Sequence, residues 1–275
     1  NSVVKLVLSN FTTNQIDNLI NIEKANKVII ELEDNSTNKI TSPSLETDDS
    51  KNYTIIKTNA NIEFFGNGKL IVDAVGTFIS SEANVDITAS TLELNNINSG
   101  FDIKGNFKIE NGVIYILTNE NGIISDGNIN IDNSTFIIRS EGIGIKSKGI
   151  FIINSGKIFI ASGEEIQKPN ANSLQKSLIL NFKESRKSLF LIHDTSQIVL
   201  AYAGGLQYQH ILYSDEFKAE SYVLYGSGKI AGTQTYGLYK VEDSEESGQL
   251  TCDGLENDHF VVNDLVNIYD DVVKK

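Results

Sequence analysis

Between residues 56 and 160 apolar and polar positions alternate in short runs, and the runs come in pairs parted by polar corners. Ile62-x-Phe64 leads to Leu70-x-Val72, Val85-x-Ile87 to Leu92-x-Leu94, and Phe107-x-Ile109 to Ile114-x-Ile116. Ile129-x-Ile131 then leads to Phe136-x-Ile138, and Ile150-x-Ile152 to Ile158-x-Ile160. The units start at 62, 85, 107, 129 and 150, in steps of 23, 22, 22 and 21 residues. A third apolar position precedes each unit (Ile56, Ile79, Ile103, Ile124 and Ile145), and upstream Ile22 stands before Val28-x-Ile30 in the same way. Period-2 alternation is a strand signal, and the corners lack the two-residue Asn-Gly turns of hairpins.

Three short strands in every 22 or so residues predict a parallel β-helix. Each coil climbs by one strand spacing, about 4.8 Å, and equivalent residues stack on those of the next coil. One coil alone buries little, whereas stacked coils share a continuous core. Asn and Gly fill the corners because both tolerate left-handed backbone. From Glu164 the rhythm changes. Residues 174–240, rich in tyrosine, read as antiparallel strands that close the C-terminal end, where an uncovered coil would present a free sheet edge. The chain is thus expected to hold parallel coils over 1–165, a β-rich cap packed on them over 166–250, and a terminal segment or linker over 251–275.

The totals narrow the function. The 275 residues are 40% hydrophobic and 21% charged, a folded composition. A net charge of −13 without a basic stripe repels a nucleic-acid backbone. No apolar run reaches the roughly 20 residues that cross a bilayer. The chain starts at Asn1 rather than Met, so it reads as an excised piece, and any signal peptide or anchor would lie outside it. The single cysteine, Cys252, allows no internal disulfide and has no nearby histidine to activate it. Sequons at Asn10, Asn35, Asn52 and Asn133 are a weak pointer to secretion in an Asn-rich chain. His193, His210 and His259 lack metal-ligand spacing, and Lys104, Lys108, Arg139, Lys146, Lys148 and Lys157 fall on different faces of the predicted coils. No catalytic residue is assigned.

The stretches IEKANKVIIELEDNSTNKI, FFGNGKLIVDA, NENGIISDG, EGIGIKSKG and YGSGKIAGTQTYGLYK, in this order from about Val3 to Thr251, carry a resemblance. The chain resembles the carbohydrate-binding β-helix family of secreted and cell-surface proteins from cellulolytic clostridia and other anaerobes. The resemblance implies a right-handed parallel β-helix similar to pectate lyases, an extracellular or cell-surface location, and binding of plant-wall polysaccharide. It also implies calcium at an Asp preceding the Gly-Ile of each coil. Those positions here hold Thr77, Phe101, Asn121 and Ile143, and Asp126 and Glu141 lie off them. Calcium wants six to eight oxygens, usually with several carboxylates, so no cofactor is expected.

Alternation also points residues outward. The first wall would present Glu63, Asp86, Lys108, Asn130 and Phe151; the second Ile71, Glu93, Tyr115, Ile137 and Phe159; the third Ile55, Phe78, Asp102, Ile123 and Gly144. The last two ladders are too apolar for a fully wet surface, so either the chain covers one of them or a ligand does. The candidates for ligand or partner contact are Ile71, Glu93, Tyr115, Ile137, Phe159, Phe78, Asp102 and Ile123. Tyr115 and Phe159 would stack on sugar rings. The expectation is a non-catalytic extracellular module that binds plant cell-wall polysaccharide. The alternative is a cohesin-like docking module of a cell-surface or cellulosome scaffold, recognising modules borne by secreted glycoside hydrolases through an apolar stripe with an acidic surround.

Overall fold

The computed structural model describes residues 2–42, 53–193, 198–217, 221–225, 234–235, 238–239 and 258–272, and among them every regular element is a strand. Parallel strands stack into three walls. The first holds Val3–Leu8, Lys27–Leu32, Asn61–Phe65, Val85–Thr88, Phe107–Glu110, Ile129–Asp132 and Phe151–Ile153. The second holds Thr12–Thr13, Thr37–Thr41, Lys69–Asp73, Thr91–Ile97, Val113–Thr118, Ser134–Ser140 and Gly156–Ser162. The third holds Ile20–Ile22, Thr54–Thr58, Thr77–Ser81, Ser99–Ile103, Ile123–Ser125 and Ile145–Ser147. This is a parallel β-solenoid of about seven coils at a spacing near 22 residues.

Stacking sets the core. Val28, Ile62, Val85, Phe107, Ile129 and Phe151 succeed one another up the first wall, and Leu70, Leu92, Ile114, Phe136 and Ile158 up the second, all of them buried. Aromatic rings form a spine along the axis. Phe64 to Phe78, Phe78 to Phe101, Phe101 to Phe107 and Phe107 to Phe136 lie 6.1, 5.5, 5.3 and 6.5 Å apart, mostly edge to face, a geometry rings favour.

Two corners show why the coil keeps its length. Between the third and first walls, Asn61, Asn84, Asn106 and Asn128 each accept the backbone N–H of the next coil through Oδ1, at 3.1, 2.8, 2.8 and 3.0 Å. The glycine ahead of the next inward residue leaves room for that amide: a Cβ on Gly149 would stand 2.2 Å from Asn128 Oδ1. Between the first and second walls, Asn35, Ala89, Asn111 and Asn133 are left-handed, with φ of 61°, 60°, 54° and 41°. Ser36, Ser90 and Ser134 follow with buried side chains, and Thr37, Thr91 and Thr135 come next at the start of the second wall. Asn-Ser-Thr is therefore a corner formula of this fold, and it spells two of the sequons.

Residues 164–175 cover the last coil. Asn170 and Leu174 donate N–H bonds to the carbonyls of Phe151 and Ile153, at 2.6 and 3.0 Å, and Gln167 Oε1 accepts from the Ser147 N–H. Ser177–His193 and Ile198–Ser214 then form a long antiparallel hairpin whose second strand pairs with Gly156–Ser162, so the second wall runs on into an antiparallel sheet. A register shift between Asn181 and Arg186 marks where the hairpin departs from regular pairing. Beyond it the first hairpin strand pairs with Ser221–Tyr225, which pairs with Asp258–Val261. Val266–Val272 runs parallel beside the start of the hairpin. Where a terminal segment or linker was expected, these last two strands lie in the sheet. Cys252 and Asn52 fall outside the described residues.

Two registers differ from expectation. In the last coil Phe151 and Ile153 point inward, while Ile150 is exposed and Ile152 takes the outward place assigned to Phe151. In the third wall the inward stack is Ile20, Ile56, Ile79, Phe101, Ile123 and Ile145, so Ile124 points outward and Ile123 does not. Ile103 is buried but belongs to the neighbouring row with Ser81 and Ser125. Ile55, Phe78 and Gly144, expected outside, are buried too, each standing directly before an inward residue of this wall, Ile56, Ile79 and Ile145. At the N-terminal end the core opens into an apolar cavity of about 230 Å³ lined by Leu6, Leu8, Phe11, Leu19, Ile30 and Ile40 among others.

Candidate functional site

The outer face of the second wall carries one continuous ladder. Lys39, Ile71, Glu93, Tyr115, Ile137 and Phe159 succeed one another at strand spacing, as alternation requires. Their surroundings change sharply along it. Ile71, Glu93 and Tyr115 are partly exposed, whereas Ile137 is 4% exposed and Phe159 0%. The cover is the chain itself. Leu178, Leu180, Tyr202, Tyr208, Ile211 and Tyr213 join Ile137 and Phe159 in a second apolar core, and Tyr115 packs against its margin. Ile137 and Phe159, assigned as contact residues, are therefore core residues. So are Phe78 and Ile123, which face the solenoid interior. Asp102 is outward on the third wall, half exposed, with Lys104 Nζ at 3.5 Å.

What stays accessible includes the four strands from Thr37–Thr41 to Val113–Thr118. The outward residues of Thr91–Ile97 begin Thr91, Glu93, Asn95, and those of Val113–Thr118 are Val113, Tyr115, Leu117, all partly exposed. One strand thus offers polar groups and its neighbour an apolar row. Glu93 is held by Lys69 at 2.5 Å, with only 15% of its side chain exposed. Asp73 accepts a bond of 2.6 Å from Asn96 Nδ2. Burial, then the nearby Glu93 carboxylate, push the Tyr115 phenol above its ordinary pKa, so it remains a neutral hydrogen-bond donor through the physiological range.

The other faces differ. On the first wall Lys108 bonds Glu110 at 2.8 Å and Lys27 pairs with Glu63, a solvated, self-neutralising surface. Lys104, Lys108 and Lys148 are paired with acids, and Arg139 is 7% exposed beneath the C-terminal layer, its guanidinium 5.8 Å from the Tyr202 ring centre. The basic residues therefore do not converge on one point. His210 Nδ1 lies 2.8 Å from Asn181 Oδ1, and burial lowers its pKa. Of His193 and His259 only the backbone, in strands, is described.

The positions that the resemblance linked to calcium do not fit an ion. Phe101 is buried in the core, Asn121 Oδ1 accepts the Ile143 N–H at 3.1 Å, and Asp126 is paired with Lys148 at 2.9 Å. Among the described residues no three His, Cys, Asp or Glu side chains gather to hold a metal, and no helix is long and apolar enough to cross a membrane.

Sequence reasoning placed the ladder's outward register correctly and missed what covers its upper half. A signal was present. Leu178-Ile179-Leu180 and Ile211-Leu212-Tyr213 are uninterrupted apolar runs, and such runs mark strands buried on both faces. Ile179 and Leu212 belong to the solenoid core, their neighbours to the second core.

Comparisons with curated proteins and with solved structures found no match. A family model described as carbohydrate-binding domain-containing protein matches residues 1–231. With that match over most of its length, the chain belongs to the family of carbohydrate-binding domain-containing proteins.

Proposed function

We propose that this protein is a non-catalytic module that binds plant cell-wall polysaccharide at the cell surface or outside the cell, through the uncovered outer face of its second wall. The observation that carries the reading is the pairing of strands on that face: an apolar row centred on Tyr115 beside a polar row of Thr91, Glu93 and Asn95. Sugar rings have apolar faces and hydroxyl rims, and this surface offers a counterpart to each. Family membership supports carbohydrate as the ligand. The right-handed, pectate-lyase-like winding belongs to the same reading, since strand-to-parallel-strand connections favour that hand.

The protein-docking alternative rested on a long apolar ladder. Ile137 and Phe159 supply much of that ladder, and the chain's own C-terminal layer takes them up. The test is a pull-down on insoluble cellulose and on pectin, run beside one on secreted glycoside hydrolases from a cell-wall-degrading culture. Retention by a polysaccharide is expected. Capture of hydrolase-borne modules with no retention on either glycan would end the carbohydrate reading.

A further inference from the structure

On the outer side of the second wall, partly exposed Tyr115 and Leu117 are followed by buried Ile137 and Arg139, so the C-terminal layer ends as a step just beyond that part of the strand Val113–Thr118. We propose, granting that this face takes polysaccharide, that the glycan lies along that step in the direction of the strand, across the solenoid axis, and is gripped mid-chain.

Two directions compete, and the chemistry of the surface separates them. Along the ladder a sugar chain would meet Lys39, Ile71, Glu93 and Tyr115, cationic, apolar, anionic and aromatic in turn. It would strike the layer after three strand spacings, about 14 Å, and only a chain terminus would end there. Along the strand it meets Val113, Tyr115 and Leu117, an unbroken apolar line about 13 Å long from its first residue to its last. Thr91 and Glu93 run beside that line at one strand spacing, with Asn95 following at a register shift. On its other side buried Ile137 and Arg139 bound Tyr115 and Leu117, while Thr135 beside Val113 stays partly exposed. Ring faces then rest on the apolar line while hydroxyls reach the polar row. A chain lying this way passes the layer without ending, which suits the interior of a long polymer.

Binding isotherms on whichever of amorphous cellulose and pectin retains the unaltered protein would test the direction. Val113→Ser and Leu117→Ser are expected to weaken binding by up to about tenfold each, the scale of a lost apolar contact. Ile71→Ser and Lys39→Ala are expected to leave it within about twofold. Thr91→Ala and Asn95→Ala, polar surface changes that spare packing, supply a second pair from the track, and a thermal melt of each variant checks folding. The opposite pattern, or equal losses in both sets, overturns the direction. Failure of the unaltered protein to bind either polymer would instead overturn the functional reading beneath it.

Discussion

The rings of Phe159 and Tyr202 lie 4.9 Å apart, centre to centre, and this contact seats the C-terminal layer on the outside of the last solenoid coil. Phe159 points away from the solenoid core, yet it is fully buried. Phe159→Ala should cost about 3–5 kcal/mol, as for a ring removed from a packed interior. Urea unfolding should show a lower midpoint with an unchanged slope. A loss under about 1 kcal/mol would mean that the layer is not seated there.

Ile131 stacks between Ile109 and Ile153 on the inner side of the first wall. Ile131→Asp places an unpaired carboxylate in that apolar column, with nothing to compensate its lost hydration. Cooperative unfolding at room temperature is expected by circular dichroism. An unchanged melting curve would show that the inward column is wrongly drawn.

Ala89 occupies a corner where the next two coils place Asn111 and Asn133, and all three are left-handed. A Cβ makes that conformation costly, and glycine removes the cost. Ala89→Gly should therefore stabilise the domain by about 0.5–1 kcal/mol, a change opposite in sign to most substitutions of alanine by glycine. Differential scanning calorimetry on the two proteins would reveal it.

Asp86 stands outward on the first wall, and its pKa is raised chiefly by burial, with Lys108 lowering it and Glu63 raising it further. An acid whose folded pKa exceeds its unfolded one adds stability below the unfolded value. That contribution is lost as pH rises through the folded value. Asp86→Asn should thus flatten the stability profile just above the ordinary carboxylate range and raise stability at neutral pH. A variant less stable than the original at pH 7 would count against this account.

If polysaccharide is held without calcium, as the buried Phe101 and the engaged Asn121 suggest, prolonged chelation should leave retention unchanged. Affinity electrophoresis in gels containing soluble polysaccharide, with and without chelator, would measure it. Loss of retardation on chelation, restored by calcium, would show that a cation takes part.

Much of the fold was legible because inside and outside alternate cleanly. Leu92-Glu93-Leu94 and Ile114-Tyr115-Ile116 leave no doubt about which residues face the core, and the structure places all six accordingly. Legibility failed at Ile150–Ile153 and at Ile123–Ile124, where adjacent apolar residues leave the parity open. Glycine could have decided the first case. Gly105 and Gly127 each stand two residues before an inward position, and Gly149 stands two before Phe151. The covered half of the second wall was harder. Its cover comes from strands distant in sequence, and no local pattern around Ile137 or Phe159 names Tyr202 as a partner. The candidate site was legible as a face and not as an extent, for the same reason.

Each mid-rod coil pairs with the coil above and the coil below, whereas the C-terminal layer buries the ladder residues of the last two rungs of the second wall. Inserting or deleting one full 22-residue repeat in mid-rod therefore changes the open area of the ligand-facing side without disturbing its covered end. The architecture separates two quantities that a compact enzyme must settle together, the reach of the recognition surface and the integrity of the terminus that protects it.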